Sequence, residues 1–315
     1  MRPLLSAIAF PVVFVGALVS TWAGLATGLD APAVVFSVSV AAAVCVTVLE
    51  RALPYEPQWR ERHGDLGTDA IYAVSSLFAA PRLFDLLALS AMTSAGAWMT
   101  RTLGHDLWPH AAPWGLQVLL AVVVGEFGSY WWHRAMHERS LLFRLHATHH
   151  SAPRLYWFNS TRFHPLDNVV MYAFQVFPLI LMGIPEAVLV GFTVWSLVHG
   201  FFQHANVDVR LGPLNWFFSM AELHRWHHSP SVEEANHNYG SNCCVWDLVF
   251  GTYYLPSDRR PPVNVGLDGM PTFPQRIVGQ LLSPFVWPTG GVTPVDTPRA
   301  PGASTATPVD APPSP

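Results

Sequence analysis

Histidine at helical spacing is the feature of this chain from which chemistry can be read. Three dense groups stand out: His133-Arg134-Ala135-Met136-His137, His146-Ala147-Thr148-His149-His150 and His224-Arg225-Trp226-His227-His228. His199 and His204 lie between the second and third groups, and with His164 they bring eleven of the 15 histidines into positions 133–228. A neutral imidazole offers a lone pair near neutral pH, which makes it a common metal ligand. On a helix, residues three and four apart share a face. His133 and His137 therefore point one way, as do His146, His149 and His150, and His224, His227 and His228. These eight ligands exceed the roughly four that a tetrahedral zinc takes, and they suit two metal ions. Imidazole suits zinc, copper, iron and nickel alike, so ligand type alone does not name the metal. The bland alternative is chance clustering on amphipathic helices, which eight residues at ligand spacing argue against. Scattered His63, His105, His110 and His237 read as ordinary polar or surface residues.

The elements that carry these groups look membrane-bound. The chain has 315 residues, of which 51% are hydrophobic and only 12% charged, with mean hydropathy +0.28. Soluble domains carry about 25% charged residues. The net charge of -4 gives no reason to expect a nucleic-acid partner. All 17 basic residues are Arg, which we read as genome composition. Cys45, Cys243 and Cys244 form no CxxC or iron–sulfur spacing.

The expected fold is all-α and integral to a membrane, with about four transmembrane helices, a re-entrant helical hairpin and a cytoplasmic histidine-rich helical cap. Leu4 to Leu29 is long enough for a span, which needs about 20 residues; a cleaved signal peptide is the alternative. A polar break at Asp30-Ala31-Pro32 leads to Ala33–Leu49, completing a hairpin. A third apolar region, Ala70–Met99, is interrupted by Pro81, Arg82 and Asp85, the last two placed to form an interfacial ion pair. Trp114–Trp132 is the fourth span, and its terminal Tyr130-Trp131-Trp132 suits a membrane–water boundary. Asn168–His199, broken at Gly183-Ile184-Pro185-Glu186, has halves short for full spans and reads as the re-entrant hairpin. Arg2, Arg51, Arg60, Arg62, Arg134, Arg139 and Arg144 fall on one side of this topology and Arg101 on the other. The positive-inside rule then puts the histidines in the cytoplasm. Residues 1–64 form the N-terminal hairpin and linker, 65–258 the catalytic domain and 259–286 a C-terminal extension. Residues 287–315, with eight prolines, form a tail expected to be disordered.

HRAMH, HATHH and HRWHH occur together with FHPLD (Phe163–Asp167), QHAN (Gln203–Asn206), NYG (Asn238–Gly240) and WDLVFGT (Trp246–Thr252). This ordered set closely resembles the sterol desaturase/fatty acid hydroxylase superfamily, over roughly residues 65–258. The resemblance implies a four-helix membrane core, a cytoplasmic dinuclear iron site and O2-dependent hydroxylation or desaturation of a lipid. Carried over by motif, the ligands are His133, His137, His146, His149, His150, His224, His227 and His228, with His204 and then His199 as further candidates. The His199–His204 spacing of five departs from the family's usual four. His164 reads as a ligand or, in preference, as a donor that supports one. Asp167, Asn206, Asp208, Glu222, Asn236 and Asp247 are the nearby residues able to fix ligand tautomers. Trp157, Phe158, Phe201 and Phe202 suit core packing at least as well as a substrate channel.

Such chemistry is coherent. An unactivated C–H bond has no acidic proton and no leaving group, so acid–base side chains alone cannot break it. A metal centre that reduces O2 can, and the protein supplies binding, orientation and a dry cavity. The lipid substrate would approach from the bilayer. No haem domain, GxGxxG fingerprint or ferredoxin cysteine set is visible, so electrons are expected from a separate redox partner, a ferredoxin or cytochrome b5-like protein with its reductase. The lysine-free composition and lack of a retention signal point to a bacterial inner membrane. The alternatives are a zinc-dependent membrane hydrolase and a non-catalytic metal-binding or transport protein. A transporter should hold ionisable residues at mid-depth in its spans, whereas these histidines cluster beyond them.

Overall fold

The computed structural model describes residues 2–61, 63–267, 270 and 272–287. The expected tail therefore lies, beyond Trp287, outside the described residues. The architecture is all-helical. Helices α1 (Arg2–Ala26) and α2 (Ala31–Ala52) form the expected hairpin. The Asp30 side chain starts α2 by accepting from the Ala33 N–H at 3.2 Å, satisfying a donor that has no partner within the helix.

The third apolar region is one helical stretch, α3, spanning Leu66–Leu103. Its winding loosens to π form at Ser75–Ala79 and Asp85–Leu89, on either side of Pro81. Proline has no N–H to donate, and its ring crowds the carbonyl one turn back. Wider turns accommodate both effects. Arg82 and Asp85 form the expected pair at 3.7 Å, with both side chains largely exposed. Such a pair adds little to stability.

Helix α4 (Trp114–Glu138) is followed, after the single extended residue Arg139, by α5 (Ser140–His150). Then come α6 (Pro165–Met182) and α7 (Glu186–His204). The short α8 (Ala221–His227), with His228 at its C-cap, completes the elements that carry the clustered histidines.

The set of spans differs from the expected one. Among the described residues, four helices are long and apolar enough to cross a membrane: α1, α2, α3 and α6. Helix α4 is not among them, although it is 25 residues long, because Gln117 and Glu126 interrupt its apolar run. The two halves of the expected re-entrant hairpin are complete helices of 18 and 19 residues. They start before Asn168 and end after His199 because polar Asp167, Gln203 and His204 continue the helices and are buried, so hydropathy under-reports their length. Gly183 at φ 83° ends α6, in the left-handed conformation that glycine adopts without steric cost.

The core lies where α1, α2, α4, α6 and α7 meet. Phe10 and Phe14 of α1 meet Phe202 and Trp195 of α7 edge-on, at 5.3 and 4.6 Å. Helices α4 and α6 approach closely at two glycines. A Cβ on Gly125 would come within 2.9 Å of the Gln175 carbonyl oxygen, and one on Gly128 would overlap the Phe174 carbonyl. This small-residue contact lets helices pack backbone to backbone.

Carboxylates, half-buried at Glu50 and buried at Asp65, Asp69 and Glu126, tie the helices to the loops around the histidines. Glu50 accepts from the Trp157 and Asn206 N–H groups at 2.8 and 2.9 Å. Glu126 accepts from the Ser241 and Asn242 N–H groups at 2.5 and 2.8 Å. Asp65 receives Arg154 in a two-pronged ion pair, and Asp69 receives Arg162. Polar residues buried in this way must be partnered, and their partners here are the segments that present the ligands.

Candidate metal centre

The end of α4, all of α5, the end of α7 and α8 converge on one buried volume. His133, His137, His146, His150 and His227 form one group, and His149, His204, His224 and His228 form a second. Within each group the ligand atoms lie within 4.8 Å of one another. All nine imidazoles are buried. Close Nε2 pairs are His133–His146 at 3.0 Å, His204–His224 at 2.9 Å, His224–His228 at 2.9 Å and His149–His228 at 3.1 Å.

The grouping follows helix geometry more finely than the sequence suggested. Each pair four apart serves one group: His133 with His137, His146 with His150, and His224 with His228. The histidine three residues on from the first of its pair, His149 or His227, turns to the other group. Helices α5 and α8 therefore each contribute to both sites. The reading that each dense cluster converges on a single point is corrected accordingly.

The ring nitrogens fit a cation. Nδ1 of six of these imidazoles faces an acceptor: Tyr239 O for His133 (2.7 Å), Asn236 Oδ1 for His137 (3.2 Å), Asp167 Oδ2 for His146 (2.9 Å), Arg162 O for His149 (3.2 Å), Asn159 Oδ1 for His204 (3.0 Å) and His237 O for His227 (2.8 Å). An acceptor at Nδ1 keeps the proton there and leaves the Nε2 lone pair facing inward. The Nε2 atoms of His137, His150 and His227 are buried and have no hydrogen-bond partner. Lone pairs facing one another in a dry interior repel unless a cation lies among them.

His199 belongs to neither group. It packs on Phe10 and Phe218 at ring distances of 6.0 and 6.2 Å. With about 100° per residue, five positions rotate it some 140° from His204, so the two cannot share a face. His199 is therefore set aside as a candidate ligand. His164 does not support a ligand either: its Nδ1 accepts from the Leu166 N–H at 3.3 Å, starting α6, and its Nε2 donates to Leu281 O at 3.2 Å.

A cavity of about 470 Å³ leads to these groups. It runs from Val35, Leu77 and Pro81 in the apolar helices past Phe163, Tyr172 and Phe192, and reaches His133, His146, His149, His204 and His224. None of Trp157, Phe158, Phe201 and Phe202 lines it. Phe201 and Phe202 belong to the core and Trp157 packs against it, edge-on to Phe201 at 5.2 Å, while half-buried Phe158 packs on Trp157 at 5.1 Å.

The Fatty acid hydroxylase family profile matches residues 118–252. An ornithine lipid hydroxylase of Rhizobium tropici is 35% identical over 241 residues, covering 76% of this chain and 72% of that protein. The chain belongs to the fatty acid hydroxylase family. It is also similar to the human alkylglycerol monooxygenase (31% identity, 42% of this chain, 30% of that protein) and to methylsterol monooxygenase 1 of Rattus norvegicus (25% identity, 41% and 44%). The chain aligns with less than half the length of these last two. No solved structure matches it significantly.

Within this family member, two of the six expected supports touch a ligand directly, Asp167 and Asn236. Asp247 acts one step removed: it accepts from the Tyr239 and Gly240 N–H groups at 2.8 and 2.9 Å, fixing the carbonyl that receives His133. Asn206 binds Glu56 (2.8 Å), Asp208 pairs with Arg210 (3.2 Å) and Glu222 accepts from the Leu211 N–H (2.8 Å). Asn159 escaped sequence reading because nothing in Phe158-Asn159-Ser160 marks it. The carbonyls of Arg162, His237 and Tyr239 carry no side-chain signal at all. Asp167→Asn should keep the fold and weaken metal retention by about 10–100-fold, measured by competition with a chelator. Unchanged retention would show that Asp167 does not orient His146.

Burial, reinforced by neighbouring imidazoles, holds His146, His149, His150, His224, His227 and His228 well below the usual histidine range. They stay neutral near pH 7, as ligands must. A lowered histidine pKa means that the unfolded chain binds more protons below about pH 6.5, so stability is complete above that pH and falls as the pH drops. Each such group contributes up to about 1.4 kcal/mol per pH unit. The metal-free protein should show a steep fall in Tm between about pH 6.5 and 5. A flat profile would contradict the buried, neutral assignment.

Proposed function

We propose that the chain is a di-iron membrane oxygenase that uses O2 to hydroxylate an unactivated C–H position of a lipid. The observation that carries this reading is the placement of two polyhistidine groups at the inner end of an apolar cavity among membrane-type helices. One iron would be held by His133, His137, His146, His150 and His227, and the other by His149, His204, His224 and His228. Bound iron would supply the reduction of O2 that C–H cleavage requires. The polypeptide does the rest. Asp167, Asn159, Asn236 and backbone carbonyls hold protons at Nδ1, the cavity excludes water, and its apolar walls align the lipid with its reactive carbon toward the histidines.

Relatives named as hydroxylases and monooxygenases favour hydroxylation over desaturation. An open catalytic zinc keeps about three protein ligands, fewer than either group holds, which weighs against the zinc hydrolase. Arginine placement favours a cytoplasmic site in a bacterial inner membrane, with electrons from a separate ferredoxin or cytochrome b5-like partner.

The test is to purify the protein anaerobically in detergent, count iron and zinc per chain, and incubate it with bacterial membrane lipids, O2 and a reductant. Mass spectrometry should show an iron-dependent gain of one oxygen in a lipid. Zinc in place of iron, with hydrolysed lipid as product, would overturn the proposal.

A further inference from the structure

A second cavity lies away from the histidines, where the start of α1 meets the turn after α2. It measures about 350 Å³ and is lined by Arg2, Ser6, Tyr55, Asp208, Arg210 and Arg260, together with three prolines. Three arginines and one aspartate line it, which gives the lining a formal charge of +2. That carboxylate is already engaged, since Asp208 pairs with Arg210 at 3.2 Å. Arg2 donates to the Pro54 carbonyl at 3.0 Å. Arg260 stacks over the Tyr55 ring at 4.9 Å, and buried Arg225 stacks on the same ring at 3.8 Å. Tyr55 is held in place by donating to Pro261 O at 2.5 Å.

An independent observation points to a polar ligand. Ser6 lines this cavity, is 1% exposed, and its buried hydroxyl has no hydrogen-bond partner. A buried hydroxyl without a partner is costly. Its own backbone is well anchored, because the Ser6 carbonyl accepts from the Arg210 N–H at 3.1 Å. The side chain is thus fixed beside the arginines with a donor to spare.

We propose that this cavity binds a phosphate group, with Arg2, Arg210 and Arg260 neutralising its charge and Ser6 donating to one of its oxygens. Guanidinium forks match phosphate oxygens and make strong charge-assisted hydrogen bonds. The position suits an anionic phospholipid headgroup, because the first residues of one membrane-type helix and the last of the next both end here. Such helix ends lie at headgroup depth, where clustered arginines meet anionic lipid. Free phosphate shares the chemistry.

The experiment uses the full chain, loaded with iron, in an uncharged detergent. Thermal stability and binding are measured with phosphatidylglycerol doped into the micelles, and separately with inorganic phosphate at constant ionic strength. Wild type is compared with Arg210→Gln and Arg260→Gln, and iron content confirms that each variant is folded. Phosphatidylglycerol should stabilise the wild type saturably, and each variant should bind on the order of tenfold more weakly. Saturable stabilisation by inorganic phosphate alone, weakened in the same variants, would support the phosphate site and assign it to the free anion. Should Arg260→Gln fail to fold, Arg210→Gln and Ser6→Ala still decide the matter. Equal responses in wild type and folded variants, or no response to either probe, would overturn the proposal.

Discussion

His149→Ala and His150→Ala should each remove a different metal ion, although the residues are adjacent. His149 belongs to the group with His204, His224 and His228, and His150 to the group with His133, His137, His146 and His227. Wild type should carry about two irons per chain, and each single variant about one. Lipid oxidation should fall on the order of a thousandfold or more, beyond the 10–100-fold typical of residues that only orient a ligand. The doubles separate the groups. His149→Ala with His150→Ala should lose both ions, whereas His149→Ala with His224→Ala, within one group, should still hold about one. Non-additivity inside a group and additivity between groups is the signature of two distinct sites. Elemental analysis of anaerobically purified protein reads it directly. Either single variant retaining two irons would show that its histidine is not a ligand. By contrast, His199→Ala should keep wild-type iron, because His199 packs among Phe10 and Phe218 away from both groups.

The second large effect concerns the cavity. Gly200 lines it on α7, one turn before His204. A Cβ built at Gly200 meets no atom within 4 Å, so a large side chain would extend into open space rather than into packed protein. Gly200→Trp should therefore fill the cavity with little cost to the fold. Iron content should match wild type, while lipid turnover should fall on the order of a hundredfold, as misplacing a substrate by an ångström or more does. Equal turnover in this variant and wild type would mean that substrate reaches the histidines by another route. Together the two experiments separate holding the metal from admitting the lipid.

Two features were legible along the chain: the polyhistidine character of the site and the helical, membrane-type architecture. Both rest on local rules. Imidazoles three or four apart share a helix face wherever the helix lies, and a long apolar run needs a lipid-like environment whatever its neighbours. His133 with His137, and His224 with His228, are legible on those grounds alone. The family resemblance supplied His204. Everything that depends on which faces meet came from packing. It divided nine histidines into five and four by sending His149 and His227 across to the opposite group, and it turned His199 away. It paired Asp167 with His146 and Asn159 with His204, and gave His133, His149 and His227 backbone carbonyls that no side-chain pattern announces. It also buried Glu126 of α4 against backbone N–H groups more than 100 positions later in the chain. These are contacts between residues far apart in sequence, made by packing and by the need to partner every buried polar atom, and spacing along one helix carries no record of them.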